Sequence, residues 1–128
     1  MIRLALDTNR YTDLVRGEGE TSSHVERAER VYLPCVVLAE LRAGFAVGRY
    51  GADNERVLQR FLAKPGIGVL FPDDRTTRIY ANLFRQLRSQ GTPIPTNDIW
   101  IAALVVQHDL TLSSRDAHFR KLPQLDLV

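Results

Sequence analysis

The sequence predicts an α/β fold in which helices wrap a parallel sheet, and three observations carry that prediction. Short apolar runs (2–6, 31–33, 67–71 and 110–113) alternate with longer stretches of helical pattern, as strand–helix–strand units do. One of these runs, Ile67-Gly68-Val69-Leu70-Phe71, is apolar almost without interruption, which suits a strand covered on both faces. The 128 residues, 45% hydrophobic and 25% charged, fit one globular domain, 1–128, with one core. No apolar stretch approaches the roughly 20 residues needed to cross a bilayer. The amino terminus opens on a strand-like run without the charged, apolar and cleavage regions of a secretory signal. Cys35, the single cysteine, excludes an intramolecular disulfide and a Cys-based zinc site, and is expected as a buried, inert thiol. The expected setting is cytoplasmic, with no membrane partner.

The elements follow in order. Ile2-Arg3-Leu4-Ala5-Leu6 is the first strand, and it ends at Asp7-Thr8-Asn9. All three are favoured helix caps, so Asp7 is either a cap or a ligand at the carboxyl end of a strand. A helix over 10–16 follows and breaks at Gly17-Glu18-Gly19; Thr21-Ser22-Ser23 then caps a polar helix to about Arg30. Val31-Tyr32-Leu33 is a second strand, and Pro34 suits the first position of the next helix. That helix, 35–48, carries apolar residues on nearly every side and is expected to be largely buried. Glu40 lies in its middle. A buried carboxylate must be paired, protonated or bound to something, so Glu40 has either an Arg partner or a metal or proton-transfer role.

Gly48-Arg49-Tyr50-Gly51 breaks the chain before an amphipathic helix over 53–63 with Val57, Leu58, Phe61 and Leu62 inward. Lys64-Pro65-Gly66 turns into the strand 67–71. Pro72-Asp73-Asp74 opens a helix to about Gln90, closed by Gly91, with Tyr80, Leu83, Phe84 and Leu87 on its inner face. Arg75, Arg78 and Arg85 fall on its outer face with Arg88 at the edge, a stripe better explained by solvation than by RNA. Thr96 then caps an apolar helix whose first turn holds Asp98. Leu110-Thr111-Leu112-Ser113 is a strand followed by Asp116 in a loop, and Leu125–Val128 is a short terminal strand.

Four acids share one description: each stands at a strand end, at a helix start or inside an apolar helix. Asp7, Glu40, Asp98 and Asp116 are therefore expected near one edge of the sheet, where open α/β folds bind ligands. Acids crowded together need a cation or a proton. No His or Cys accompanies them at metal-ligand spacing, and an all-oxygen set selects Mg²⁺ or Mn²⁺ over zinc. Such an ion, alone or paired, can activate water and stabilise in-line displacement at phosphorus. The net charge is only +2, but fifteen of the 17 basic residues are Arg, the side chain shaped for two-pronged phosphate contacts. With the four acids neutralised, the rest of the chain carries a positive surplus, compatible with an anionic partner and equally with an Arg-rich surface.

At these positions the residues resemble a known family. Leu6-Asp7-Thr8-Asn9, Leu33-Pro34 with Ala39-Glu40-Leu41-Arg42-Ala43-Gly44, Ile94-Pro95-Thr96-Asn97-Asp98 with Ile101-Ala102-Ala103, and Ser114-Arg115-Asp116-Ala117-His118-Phe119 are similar to the PIN-domain ribonucleases. Within them the resemblance is to the VapC toxins of type II toxin–antitoxin systems. It spans essentially the whole chain; each block alone is weak, and the four in order and spacing are strong. The resemblance implies a PIN-like α/β domain with a five-stranded parallel sheet flanked by helices on both sides. It implies an Mg²⁺-dependent endoribonuclease, with Mn²⁺ as a possible substitute, hydrolysing RNA phosphodiesters by metal-activated water. Asp7, Glu40, Asp98 and Asp116 would be the catalytic acids, Asp7 and Asp98 as direct metal ligands and Glu40 and Asp116 direct or through water. Thr8, Asn9, Asn97 and Ser114 would support them by hydrogen bonds. A cognate antitoxin protein and a homodimer are the implied protein partners.

Arg10 departs from the family's usual apolar residue after Asp-Thr-Asn; with Arg115 it is a candidate contact to a substrate phosphate, or it pairs with a site carboxylate or lies on a helix surface. His118 is read as a structural hydrogen-bonding residue ahead of a general acid, since metal-activated water needs no His base. Trp100 and Phe119 could stack on bases, with core packing the stronger expectation. Two other readings stand beside the ribonuclease. One is a PIN-fold RNA- or protein-binding module without turnover, which the four intact acids count against. The other is a phosphatase with Asp7 as nucleophile, which lacks the paired acid two residues on because position 9 is Asn.

Overall fold

Leu4, Ala5 and Leu6 have no side-chain polar atom to satisfy, and they form the strand on which the sheet is centred. The computed structural model describes residues 2–128. Its five strands are β1 (Arg3–Leu6), β2 (Arg30–Pro34), β3 (Ile67–Leu70), β4 (Thr111–Ser113) and β5 (Asp126–Leu127). They form one parallel sheet in the order β3-β2-β1-β4-β5. The chain builds outward from β1 to β2 and β3, then crosses back to lay β4 on the other side of β1. That reversal makes the β1/β4 boundary a topological switch point, where the connections leave a crevice at the carboxyl ends of the strands. The register pairs Leu6 with Ser113, which sets Asp7 beside the residues that follow β4.

The helices are α1 (Thr8–Val15), α2 (Gly19–Arg27), α3 (Cys35–Val47), α4 (Gly51–Leu62), α5 (Asp74–Gln90) and α6 (Thr96–Gln107), with a 3-10 helix over Ala117–Lys121 before β5. They flank the sheet on both sides, as the fold class predicted. The core joins Leu4, Leu6, Leu33 and Leu112 of the sheet to Val37, Leu58, Leu87 and Ile101 of the helices and to Phe119 and Leu122 beyond β4. Among the described residues no helix is long and apolar enough to cross a membrane.

Several local expectations are corrected. Glu18, not Thr21–Ser23, caps α2 by accepting from the backbone N–H groups of Glu20 and Thr21, and the helix ends before Arg30, which opens β2. Pro34 ends β2 and caps α3 from outside, and Pro95 stands in the same place before α6, with Thr96 already helical. A helix that is apolar all round need not be buried all round: in α3 only Val37, Leu38 and Leu41 are buried, and Val47 is 88% exposed. β3 lies at the edge of the sheet and is half-buried throughout, so its apolar run does not mark a strand fully covered on both faces. On α5, Leu83 and Leu87 are buried as expected, whereas Phe84 is 46% exposed. Cys35 is half-buried rather than buried.

Candidate active site

Asp7 is the first residue past β1, and it does two jobs at once. Its backbone is extended, and its Oδ1 accepts from the Arg10 N–H at 2.9 Å, capping α1. Its Oδ2 accepts from the hydroxyl of Ser114, the residue after β4. The side chain is almost wholly buried, at 5% exposure, because the crevice closes over the carboxyl end of the central strand. Burial pushes its pKa up; the hydrogen bonds from Ser114 and Arg10 oppose this, and the nearby Asp116 charge adds to it.

Asp116 reaches the same place from the other side of the β1/β4 boundary. Its backbone N–H donates to Ser114 Oγ at 3.0 Å, and its Oδ1 accepts from the His118 N–H at 2.9 Å, capping the 3-10 helix. Asp98 lies in the first turn of α6, half-buried. Burial raises its pKa, the Asp116 charge raises it further, His118 lowers it, and Glu40 contributes a smaller upward push. Glu40 is half-buried in the middle of α3, and Thr8, at the start of α1, donates its hydroxyl to Glu40 Oε1 at 2.7 Å. Donor atoms of Asp98, Asp116 and His118 lie within 4.8 Å of one another; the charge of Asp116 acts on Asp7 and Asp98, and that of Glu40 acts on Asp98.

The supporting residues divide. Ser114 and Thr8 hold Asp7 and Glu40, as anticipated. Asn9 and Asn97 are exposed, and among the described residues their amides bond to none of the four acids. Arg10 is corrected. Rather than lying on a surface or reaching a site carboxylate, its guanidinium is buried at 8% exposure and directed at Asp13 (3.4 Å) and Thr21 (3.3 Å), with Glu18 at 3.8 Å. Arg115 meets the same Asp13 in a two-pronged pair, both contacts at 3.0 Å. Arg10 is buried away from solvent, whereas Arg115 gives Nε and Nη2 to Asp13 while its side chain stays 54% exposed.

The residue that sequence reasoning undervalued is His118. Its Nδ1 is 2.9 Å from Asp98 Oδ2 and 3.0 Å from Asp116 Oδ1, and one donor atom from each of Asp98, Asp116 and His118 lies within 4.8 Å of the other two. The expectation that no His accompanies the acids is therefore overturned. The two-residue spacing from Asp116 matches no helical face, and only the 3-10 turn folds the ring back. The available signal was Asp-Ala-His itself, an acid able to cap the turn that carries the His. Phe119 is fully buried, and Trp100 packs on Tyr80 with ring centroids 4.4 Å apart, so both serve packing.

Carboxylates beside an imidazole, with the Asp7 and Asp98 carboxyls held above their ordinary pKa by burial, suit a divalent cation, which would neutralise the acids without burying a proton on them. A cleft of about 660 Å³ lies elsewhere, lined by residues such as Val25, Val57, Phe61 and Ile67, and includes none of the four acids.

Comparison with known proteins agrees with this geometry. Residues 4–125 match the family described as PIN domain. The chain is 32% identical over 123 residues to the plasmid stability protein StbB of Pseudomonas syringae pv. tomato, covering 88% of this chain and 87% of that protein. It is 28% identical to the VapC ribonuclease Y4jK of Sinorhizobium fredii, covering 98% and 95%. A solved structure of VapBC-5 from Mycobacterium tuberculosis, a member of the VapBC family of toxin–antitoxin systems, superposes with a TM-score of 0.78 at 25% identity over 100% of this chain and 98% of that one. By a match that spans residues 4–125 and with them all four acids, the chain belongs to the PIN-domain family.

Proposed function

We propose that this protein is an Mg²⁺-dependent endoribonuclease, the toxin of a type II toxin–antitoxin module, hydrolysing RNA phosphodiesters at a site built from Asp7, Glu40, Asp98 and Asp116. One observation supports the reading: in a chain matching the PIN family over 4–125, Asp98, Asp116 and His118 hold donor atoms within 4.8 Å of one another, with Asp7 and Glu40 in electrostatic reach of these acids. PIN-domain ribonucleases are generally dependent on a divalent metal, and relatives of this chain are named ribonucleases. When bound, such a cation supplies Lewis-acid charge for attack on a phosphodiester at neutral pH.

The chain's own residues would do the rest. Asp98 and Asp116 are the acids with donor atoms close enough to share one ion. Asp7, oriented by Ser114 and the Arg10 N–H, and Glu40, oriented by Thr8, would add their charge to this pair. Because Asp7, Glu40 and Asp98 each share a hydrogen bond with another element, and Asp116 accepts one from the turn it caps, little reorganisation is needed when ion and phosphate arrive. The partners of this reading are RNA, a cognate antitoxin and a second copy of the chain. The antitoxin is favoured by the likeness to VapBC-5, whose system is a toxin–antitoxin pair.

Cleavage of RNA by the purified protein tests the proposal. Activity should need added Mg²⁺, stop with a chelator, and fall at least a hundredfold in Asp7→Asn and Asp98→Asn while circular dichroism stays unchanged. Undiminished cleavage by both variants would sink the metal assignment.

A further inference from the structure

We propose that His118 is a direct nitrogen ligand of the divalent cation, beside Asp98 and Asp116, and that this makes the site bind Mn²⁺ more tightly than Mg²⁺; the inference rests on the ribonuclease reading above.

Phe119, the residue after His118, is fully buried and anchors the 3-10 turn to the core. The backbone N–H of His118 is tied to Asp116 Oδ1 at 2.9 Å. The turn therefore has one orientation, and it delivers the imidazole between two carboxylates that come from different elements. Nδ1 stands 2.9 Å from Asp98 and 3.0 Å from Asp116, while the ring is about half exposed, with 47% of the side chain accessible. An imidazole that only filled space would be buried, and one that only decorated the surface would not converge with two acids. The donors come from one helix start and one capped turn, both rigidly placed, as a metal site needs. A small rotation of an exposed ring lets Nδ1 turn from hydrogen bonding the carboxylates to sharing an ion with them.

Ligand chemistry then sets the preference. Mg²⁺ takes oxygen donors and keeps several of its waters, so an imidazole gains it little. Later divalent ions bind nitrogen progressively better along the first-row series, and Mn²⁺ accepts carboxylate and imidazole together. Two carboxylates alone would not distinguish the two ions in this way; two carboxylates and an imidazole do.

The test is binding, read spectroscopically on the full-length purified protein with Mn²⁺ as the probe. Pulsed electron paramagnetic resonance of the Mn²⁺ complex should show coupling to a ¹⁴N nucleus, changed to the ¹⁵N pattern when the histidines are isotopically labelled. His118→Ala, with its fold checked by circular dichroism, should lose that coupling. It should also bind Mn²⁺ on the order of tenfold more weakly, with Mg²⁺ affinity, measured by competition, changed less than twofold. Mn²⁺ bound without nitrogen coupling, or equal losses for the two ions, overturns the role of His118 and leaves the ribonuclease reading intact. Failure of the wild type to bind Mn²⁺ or Mg²⁺ at all overturns both.

Discussion

Asp7 and Asp98 are held in the fold at a cost that burial imposes, since both have pKa values raised above the ordinary carboxylate range chiefly by desolvation. A raised pKa means that the folded chain holds these protons more firmly than the unfolded chain does. Stability from these two groups is therefore fully present below the ordinary carboxylate pKa and is lost as pH rises through the raised values. Without added metal, Asp98→Asn should melt higher than the wild type at neutral pH, and the gap should close below the ordinary carboxylate range; scanning calorimetry across pH reads both. A divalent ion at a hundred times its dissociation constant adds about 2.7 kcal/mol to the folded state, so Mg²⁺ or Mn²⁺ should raise the wild-type melting temperature and move Asp98→Asn much less. Asp13 behaves in the opposite sense. The Arg115 guanidinium first, and Arg10 behind it, hold its carboxyl below the usual range, so its stabilisation is present above the ordinary pKa and lost as pH falls through the depressed value. Asp13→Ala strips a buried Arg10 of its nearest counter-charge and frees Arg115 beside Asp116. It should cost about 2–3 kcal/mol by urea unfolding, and it should lower RNA cleavage through the loosened loop.

The elements around the site show which local signals survive packing. Asp73 and Thr76 form a reciprocal cap on α5, legible from Asp73-Asp74 in the sequence, and Gln107 at the end of α6 bonds both residues. Asp73→Ala should destabilise the protein by about 1 kcal/mol and leave cleavage unchanged, because Gln107 lies about 14 Å along α6 from Asp98 at 1.5 Å per residue. Caps of this kind are read from a few adjacent residues, so the helix start at Asp73 and the cap at Asp7 were both visible. The burial of α3 was not. Its apolar residues outnumber the positions that the sheet and α6 cover, and composition alone cannot tell an inner face from an outer one. β3 carried the same ambiguity, since an apolar run reads alike at the centre or the edge of a sheet.

At the scale of the whole molecule, the strand order makes the site. β1 lies between β2 and β4, so Asp7 and the Ser114–His118 segment, more than a hundred residues apart, end side by side. The homodimer reading rests on what the family resemblance implies. Light scattering of the purified protein should return twice the 14.5 kDa chain mass, and a monomer at all concentrations would remove that part of the proposal.

By itself the sequence determined the α/β alternation, the four acids as a set and the family pattern, because strand periodicity, cap chemistry and block spacing are local properties of the chain. Only the tertiary structure decided how the surrounding polar groups are shared. Arg10 and Arg115 pair with Asp13, an acid that no motif marks, and His118 turns back between Asp98 and Asp116 on a 3-10 helix that the pattern did not announce. The physical reason is common to these cases: which acid a guanidinium or an imidazole meets depends on distances across the β1/β4 crevice, and those follow from the crossover that brings β4 home beside β1.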